Sequence, residues 1–200
     1  YDGRLVALDA ASGKPVWTAV TTDPDAMYTI SGAPRVGGGL VYIGNGGGGE
    51  FGGRGYVSAY DADTGALAWR FFTVPGDPKQ PDGAASDPIM ADLVQSTWFG
   101  PHNEYRGGGM AWNSIVYDAE FGQLLFATGN GYPWPRLIRS EGKGDNLFID
   151  SIVAVDAKTG QEIWNVNTVD QSKPYTITGA PRVAKGKVFI GNAGAEYSVR

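Results

Sequence analysis

The chain has 200 residues, of which 42% are apolar and 12% aromatic, enough for a packed core and too many for a disordered segment. Its net charge of −5 leaves no basic surface for nucleic acid, and no apolar run approaches the ~20 residues that span a bilayer. Cysteine is absent, which rules out disulfides, thiolate metal sites and a CxxCH haem attachment.

From Tyr1 the chain shows neither an initiating Met nor a charged-then-apolar leader, so it reads as an internal piece of a longer protein. The first runs, LVAL and PVWTAV, alternate like strands and flank a turn, D-A-A-S-G. Asp can hydrogen-bond its own turn and Gly supplies a positive φ. The pattern A-x-D-x-x-[ST]-G-x-x-x-W recurs at Ala7–Trp17, Ala59–Trp69 and Ala154–Trp164. A worn copy, SIVYDAEFGQLLFATGNG with Asp118 and Gly122, fills the wider second gap, giving about four units of about 48 residues. Units of that length, each with short strands and a recurring Trp, are propeller blades, with a β-sandwich as the alternative. Trp17, Trp69 and Trp164 are read as core residues.

Between the second and third copies, VPGDPKQPDG reads as a surface loop. Ser86 to Trp98 then has Asp-Pro at a helix start and apolar residues at Ile89, Met90, Leu93 and Val94, which predicts a short helical insertion. The lone His102 reads as a loop residue.

A longer repeat overlies the short one. From Leu5 against Ile152 to Asn45 against Asn192, 21 of 41 positions are identical at a constant offset of 147. The copies occupy 5–54 and 152–200, and each ends in a glycine-rich loop with one carboxylate, Glu50 or Glu196. The passage VAVDAKTG suits both contexts, so a join of two related gene pieces there is expected, with a true tandem as the alternative.

Four segments are too rich in glycine and aromatics for plain blade structure: GNGGGGEFGGRGY, RGGGMAWNSIVYD, ATGNGYPWPRLIRS and GDNLFIDSIVAVD. Glycine clusters allow close backbone approach to a flat ligand. Trp112 offers a stacking face unless it is blade core, and Glu50 and Asn130 offer hard oxygen donors of the kind that suit Ca²⁺.

In this order the segments resemble the PQQ-dependent (quinoprotein) alcohol dehydrogenases of the methanol/ethanol dehydrogenase family, over essentially the whole chain. The resemblance implies an all-β fold, a partial β-propeller of about four blades out of about eight, filling residues 1–200 as one domain. It implies PQQ and Ca²⁺ as cofactors, with Glu50 and Asn130 as metal ligands. Trp112 would lie under the quinone, Ser31 would give it a hydroxyl, and Gly48 and Gly49 would bring loop backbone to it. It implies oxidation of small primary alcohols to aldehydes in the periplasm, with electrons passed to a c-type cytochrome, and leaves membrane association and oligomeric state open. A non-enzymatic propeller scaffold is the rival reading, although a scaffold has no need of the Glu, Asn and Trp constellation.

The chain departs from the family at the base. The family's catalytic aspartate, in a W-D-Y motif, falls where this chain has Tyr175, so no catalytic residue is assigned. Asp145 and Asp170 lack the motif. Met110 stands where the family has Thr, Ile177 stands where lanthanide-using relatives place an extra aspartate, and the Glu50 loop has one glycine more than the second copy. The chain alone is therefore expected to be inactive, an open arc of blades.

Overall fold

Hairpins built on the A-x-D-x-x-[ST]-G turn organise the molecule. The computed structural model describes residues 2–47, 51–77, 79–100, 107–112, 115–170, 173, 175–177 and 179–192. At the first hairpin β1 (Arg4–Leu8) pairs with β2 (Pro15–Val20), and Ser12 donates both N–H and hydroxyl to the Asp9 carboxylate. The same double donation reaches Asp61 from Thr64 and Asp156 from Thr159. The hydroxyl bonds, then the backbone bonds, hold the Asp9 and Asp61 carboxyls below the usual carboxylate range. Each hairpin slips register just before its turn, at Ala7/Leu8, Ala59/Tyr60 and Ala154/Val155, so the repeat extends to the bulge.

The second hairpin, β5 (Tyr56–Asp61) with β6 (Leu67–Phe72), is extended by β4 (Leu40–Gly44) and β3 (Arg35–Gly37) into a four-stranded antiparallel blade. A small ribbon joins β7 (Gly107–Gly108) to β10 (Gly131–Tyr132). The next complete blade runs β8 (Ile115–Asp118), β9 (Gln123–Ala127), β11 (Ser151–Asp156), β12 (Glu162–Asn167). The worn copy is thus the β8–β9 hairpin, and it shares a sheet with the third copy. A last hairpin, β13 (Arg182–Ala184) with β14 (Lys187–Phe189), is the repeat's counterpart of β3–β4. Two complete blades therefore stand between two two-stranded sheets, a partial propeller.

The predicted helix is α1 (Asp87–Thr97), with Pro in its first turn and the Asp87 carboxylate taking the N–H groups of Gly83 and Ala84. It presses Met90 into the core between the complete blades, where Phe71 meets Phe126 and Phe148 at centroid distances of 5.9 and 5.5 Å. A second helix that no periodic pattern announced, α2 (Arg136–Ser140), is a single turn that buries Arg139.

Blades are fastened by their tryptophans. Trp17 donates its indole N–H to Ala62 O at 2.9 Å, and Trp69 donates to Ala157 O at 3.2 Å. Each ring lies over a turn glycine of the next blade: a Cβ built on Gly65 would stand 2.6 Å from the Trp17 ring, and one on Gly160 2.6 Å from the Trp69 ring. Trp69 is buried, whereas Trp17 and Trp164 are only partly so. The tryptophan of one unit therefore reads the turn of the next, which explains why Trp and turn recur in register.

Candidate functional site

The glycine-rich segments converge because their backbones hydrogen-bond to one another. Gly108 N–H donates to Gly53 O at 3.0 Å and Gly55 N–H donates to Gly108 O at 2.8 Å, tying the end of the first glutamate loop to the 107–109 segment. Gly109 N–H then donates to Asn130 O at 2.9 Å, and Gly129 N–H to Met110 O at 3.0 Å. Side chains would break this lacing: Gly108 has a φ of +95°, and a Cβ there would stand 2.4 Å from Asn130 O.

Thr73 sits behind the laced strands, fully buried. Its N–H donates to Gly55 O, its carbonyl accepts from Phe148 N–H, and its hydroxyl donates to Gly109 O at 2.7 Å. Asn45 closes the base of the glutamate loop, donating to Arg54 O at 3.0 Å and accepting from Tyr56 N–H at 2.8 Å. Arg54 braces the far side. Its guanidinium takes both Asp82 oxygens at 2.7 and 2.8 Å, donates to Val74 O, and lies 3.9 Å over the Phe72 ring.

Of the predicted site residues, Ser31, Trp112 and Asn130 are described, while Gly48, Gly49 and Glu50 lie outside the described residues, as do Glu196 and His102. Paired hydrogen bonds between Thr29 and Gly46, both 2.8 Å, bring the Ser31 segment to the loop's entrance. A Cβ on Gly46 would stand 3.0 Å from Trp112 Cβ and 3.4 Å from Ser31 Oγ, so Ser31 and Trp112 flank one side-chain-free floor. Trp112 is 37% exposed and not blade core. Asn130 donates its amide to Gly131 O, and its Oδ1 accepts no hydrogen bond among the described residues. An open indole face, a hydroxyl, a glycine floor and a free hard oxygen donor fit a flat quinone beside a hard cation. Among the described residues no three His, Cys, Asp or Glu side chains cluster.

Tyr175 lines a cleft of about 320 Å³ with Thr168, Asp170, Ile177 and Asn192. Asp145 is exposed, and Asp170 is exposed with Lys173 Nζ at 3.6 Å. No motif pointed to Asp150, which is 5% exposed with a left-handed φ of 49° and donates its N–H to Gly129 O. Burial pushes its carboxyl up to about 7, against the pull of the Arg139 guanidinium and of Thr176 and Ile177. Asp150 Oδ1 and Thr176 Oγ1 are both buried with no hydrogen-bond partner of normal geometry among the described residues.

Known proteins are similar to the chain in sequence and fold. The family model for the glucose/ethanol/alcohol dehydrogenase β-propeller domain (PQQ) covers residues 1–173. The dehydrogenase subunit of alcohol dehydrogenase (quinone) from Gluconobacter oxydans is 51% identical over 173 residues, 82% of this chain and 23% of that protein. The crystal structure of quinohemoprotein alcohol dehydrogenase from Comamonas testosteroni superposes with a TM-score of 0.78 at 42% identity, over 96% of this chain and 29% of that one. A europium-containing methanol dehydrogenase superposes with a TM-score of 0.73 at 30% identity, over 94% and 34%. The chain spans about a quarter of the length of the curated relatives it matches. It belongs to the PQQ β-propeller family of the glucose/ethanol/alcohol dehydrogenases.

Proposed function

We propose that this chain carries the quinone- and metal-holding loops of a PQQ-dependent dehydrogenase that oxidises primary alcohols to aldehydes. The observation that supports it is the backbone lacing of the glycine-rich segments, together with the Gly46 floor that Ser31 and Trp112 flank. PQQ beside a calcium ion supplies the two-electron acceptor. Trp112, the Ser31 hydroxyl and the backbone of Gly48 and Gly49 would hold the quinone, and Asn130 Oδ1 and the Glu50 carboxylate would hold the cation. The europium-containing neighbour motivates a metal in this place, and the oxygen donors with Ile177 in the chain favour calcium.

No side chain is assigned as the base, because Tyr175 occupies that place in sequence. The chain by itself therefore lacks dehydrogenase activity in this reading. The relative named a quinohemoprotein motivates a c-type cytochrome as electron acceptor, and a periplasmic parent protein is part of the proposal on the ground of the family resemblance alone. Equilibrium dialysis with PQQ, with and without Ca²⁺, tests the binding half: saturable, Ca²⁺-dependent uptake is expected, and uptake unaffected by chelator contradicts it. PQQ-dependent dye reduction with ethanol tests the rest, and turnover by this chain would overturn the assigned lack of a base.

A further inference from the structure

Both helices lie outside the blade sheets, and they meet at one buried side chain next to the laced loops. Arg139, on α2, is 3% exposed. Its Nη1 donates to Pro133 O at 2.8 Å and to Trp134 O at 2.6 Å, and its Nε donates to Asn146 Oδ1 at 2.9 Å. Among the described residues it forms no ion pair. Taking a guanidinium out of water without one is costly, and burial lowers its pKa to about 10. Its partners are uncharged oxygens in a fixed fork, so what it supplies is geometry rather than charge neutralisation.

What Arg139 holds is the segment that carries Asn130. Asn130 O accepts from Gly109 N–H, and the Asn130 amide is anchored on Gly131 O at 3.2 Å, which fixes the direction of Oδ1. Gly131 in turn lies against the guanidinium: a Cβ there would stand 2.7 Å from Arg139 Nε and 2.8 Å from Cζ. The segment from Asn130 to Trp134 is thus laced to the glycine loops at its start and pinned by one guanidinium beyond it. Asn146, fully buried, carries the pin to α1. Its N–H and Nδ2 each donate to Thr97 O at 2.9 Å, at the helix C-terminus, and Nδ2 also donates to Ser140 Oγ. Ser140 Oγ accepts from Phe99 N–H at 2.8 Å, and Trp98 Nε1 donates to Leu147 O at 2.7 Å.

We infer that Arg139 is a positioning residue for the metal ligand Asn130, and that α1, through Asn146, is the support against which the ligand segment is held. The inference rests on the metal-holding reading above. Groups that orient a metal ligand from behind typically set on the order of 10- to 100-fold of metal affinity. The sign of the effect separates geometry from charge. A guanidinium repels a nearby cation, so a role through charge alone would make its removal tighten Ca²⁺ binding. Loss of the pin weakens binding whether or not the charge is kept.

The test is a titration of Ca²⁺ into the chain at fixed PQQ, read by tryptophan fluorescence, with thermal unfolding followed in parallel. Arg139→Lys keeps the charge and loses the fork, and Arg139→Gln removes the charge. Both are expected to raise the Ca²⁺ dissociation constant ~10-fold or more. On an Asn130→Ala background Arg139→Lys should change it no further, because the pin acts through Asn130. Where the Arg139 variants do not fold, Asn146→Ala takes their place. It frees Nε and leaves both carbonyl bonds, so a smaller loss of the same sign is expected, again absent without Asn130. Unchanged affinity in folded variants, tighter binding by Arg139→Gln, or an equal loss with and without Asn130 overturns the inference. A parent chain with no Ca²⁺-dependent PQQ binding overturns the metal-holding reading itself, and the inference with it.

Discussion

Replacing Gly160 by Ala tests the blade-fastening contact directly. A methyl on Gly160 would stand 2.6 Å from the Trp69 ring and 3.0 Å from Ala85 Cβ, at a φ of +72°. The left-handed backbone costs an alanine about 1–2 kcal/mol wherever it occurs, and the clash adds about 1–3 kcal/mol because Trp69 is packed in the core. Gly160→Ala should therefore lose roughly 2–5 kcal/mol. Gly13→Ala has the same backbone demand at φ +68° and open space, so it should lose only about 1–2 kcal/mol. Trp69→Ala should cost about 3–5 kcal/mol by cavity formation. On that background Gly160→Ala should fall to its backbone share plus the Ala85 contact. Urea unfolding of the four chains completes the cycle. An equal cost for Gly160→Ala with and without Trp69 would refute the contact as the link between blades.

Three further outcomes follow from the site. Thr73→Val keeps the shape but removes the hydroxyl that Gly109 O accepts, and should cost about 1–3 kcal/mol in urea unfolding and weaken PQQ uptake. Arg54→Lys keeps the charge but loses the fork on Asp82 and the stack on Phe72, so thermal unfolding should show a loss of about 2 kcal/mol rather than rescue. Asp150 binds its proton more tightly in the folded chain than in the unfolded one, so its contribution to stability is greatest at acid pH. That contribution falls as pH rises from 3.8 to about 7, by roughly 4 kcal/mol, and is flat above. Asp150→Asn should remove this slope and gain on the parent between pH 4 and 8; a constant difference across that range would show that Asp150 does not titrate there.

The repeat made the fold legible because each of its residues has a separate mechanical duty. Asp9, Asp61 and Asp156 build turns, the glycines receive indoles, and the tryptophans reach forward to the next turn. Spacing alone could not show that the worn copy at Asp118 and the copy at Asp156 lie in one sheet, because the segment between them, with α2 and Arg139, carries no periodic signal. Ser31, Trp112 and Asn130 were legible through glycine-rich motifs. Asn45, Thr73 and Asp150 were not, because each acts through backbone partners distant in sequence: Asn45 on Arg54 and Tyr56, Thr73 on Gly55, Gly109 and Phe148, Asp150 on Gly129. A single polar residue at the end of an apolar strand gives no pattern to read.

The central claim is that the laced loops hold a quinone beside a cation, and calorimetric titration of PQQ into the chain tests it most directly. Saturable binding is predicted in Ca²⁺, abolished by chelator, and weakened at least ~10-fold by either Trp112→Ala or Asn130→Ala. Binding that ignores Ca²⁺ and both substitutions, or no binding at all, would contradict the account.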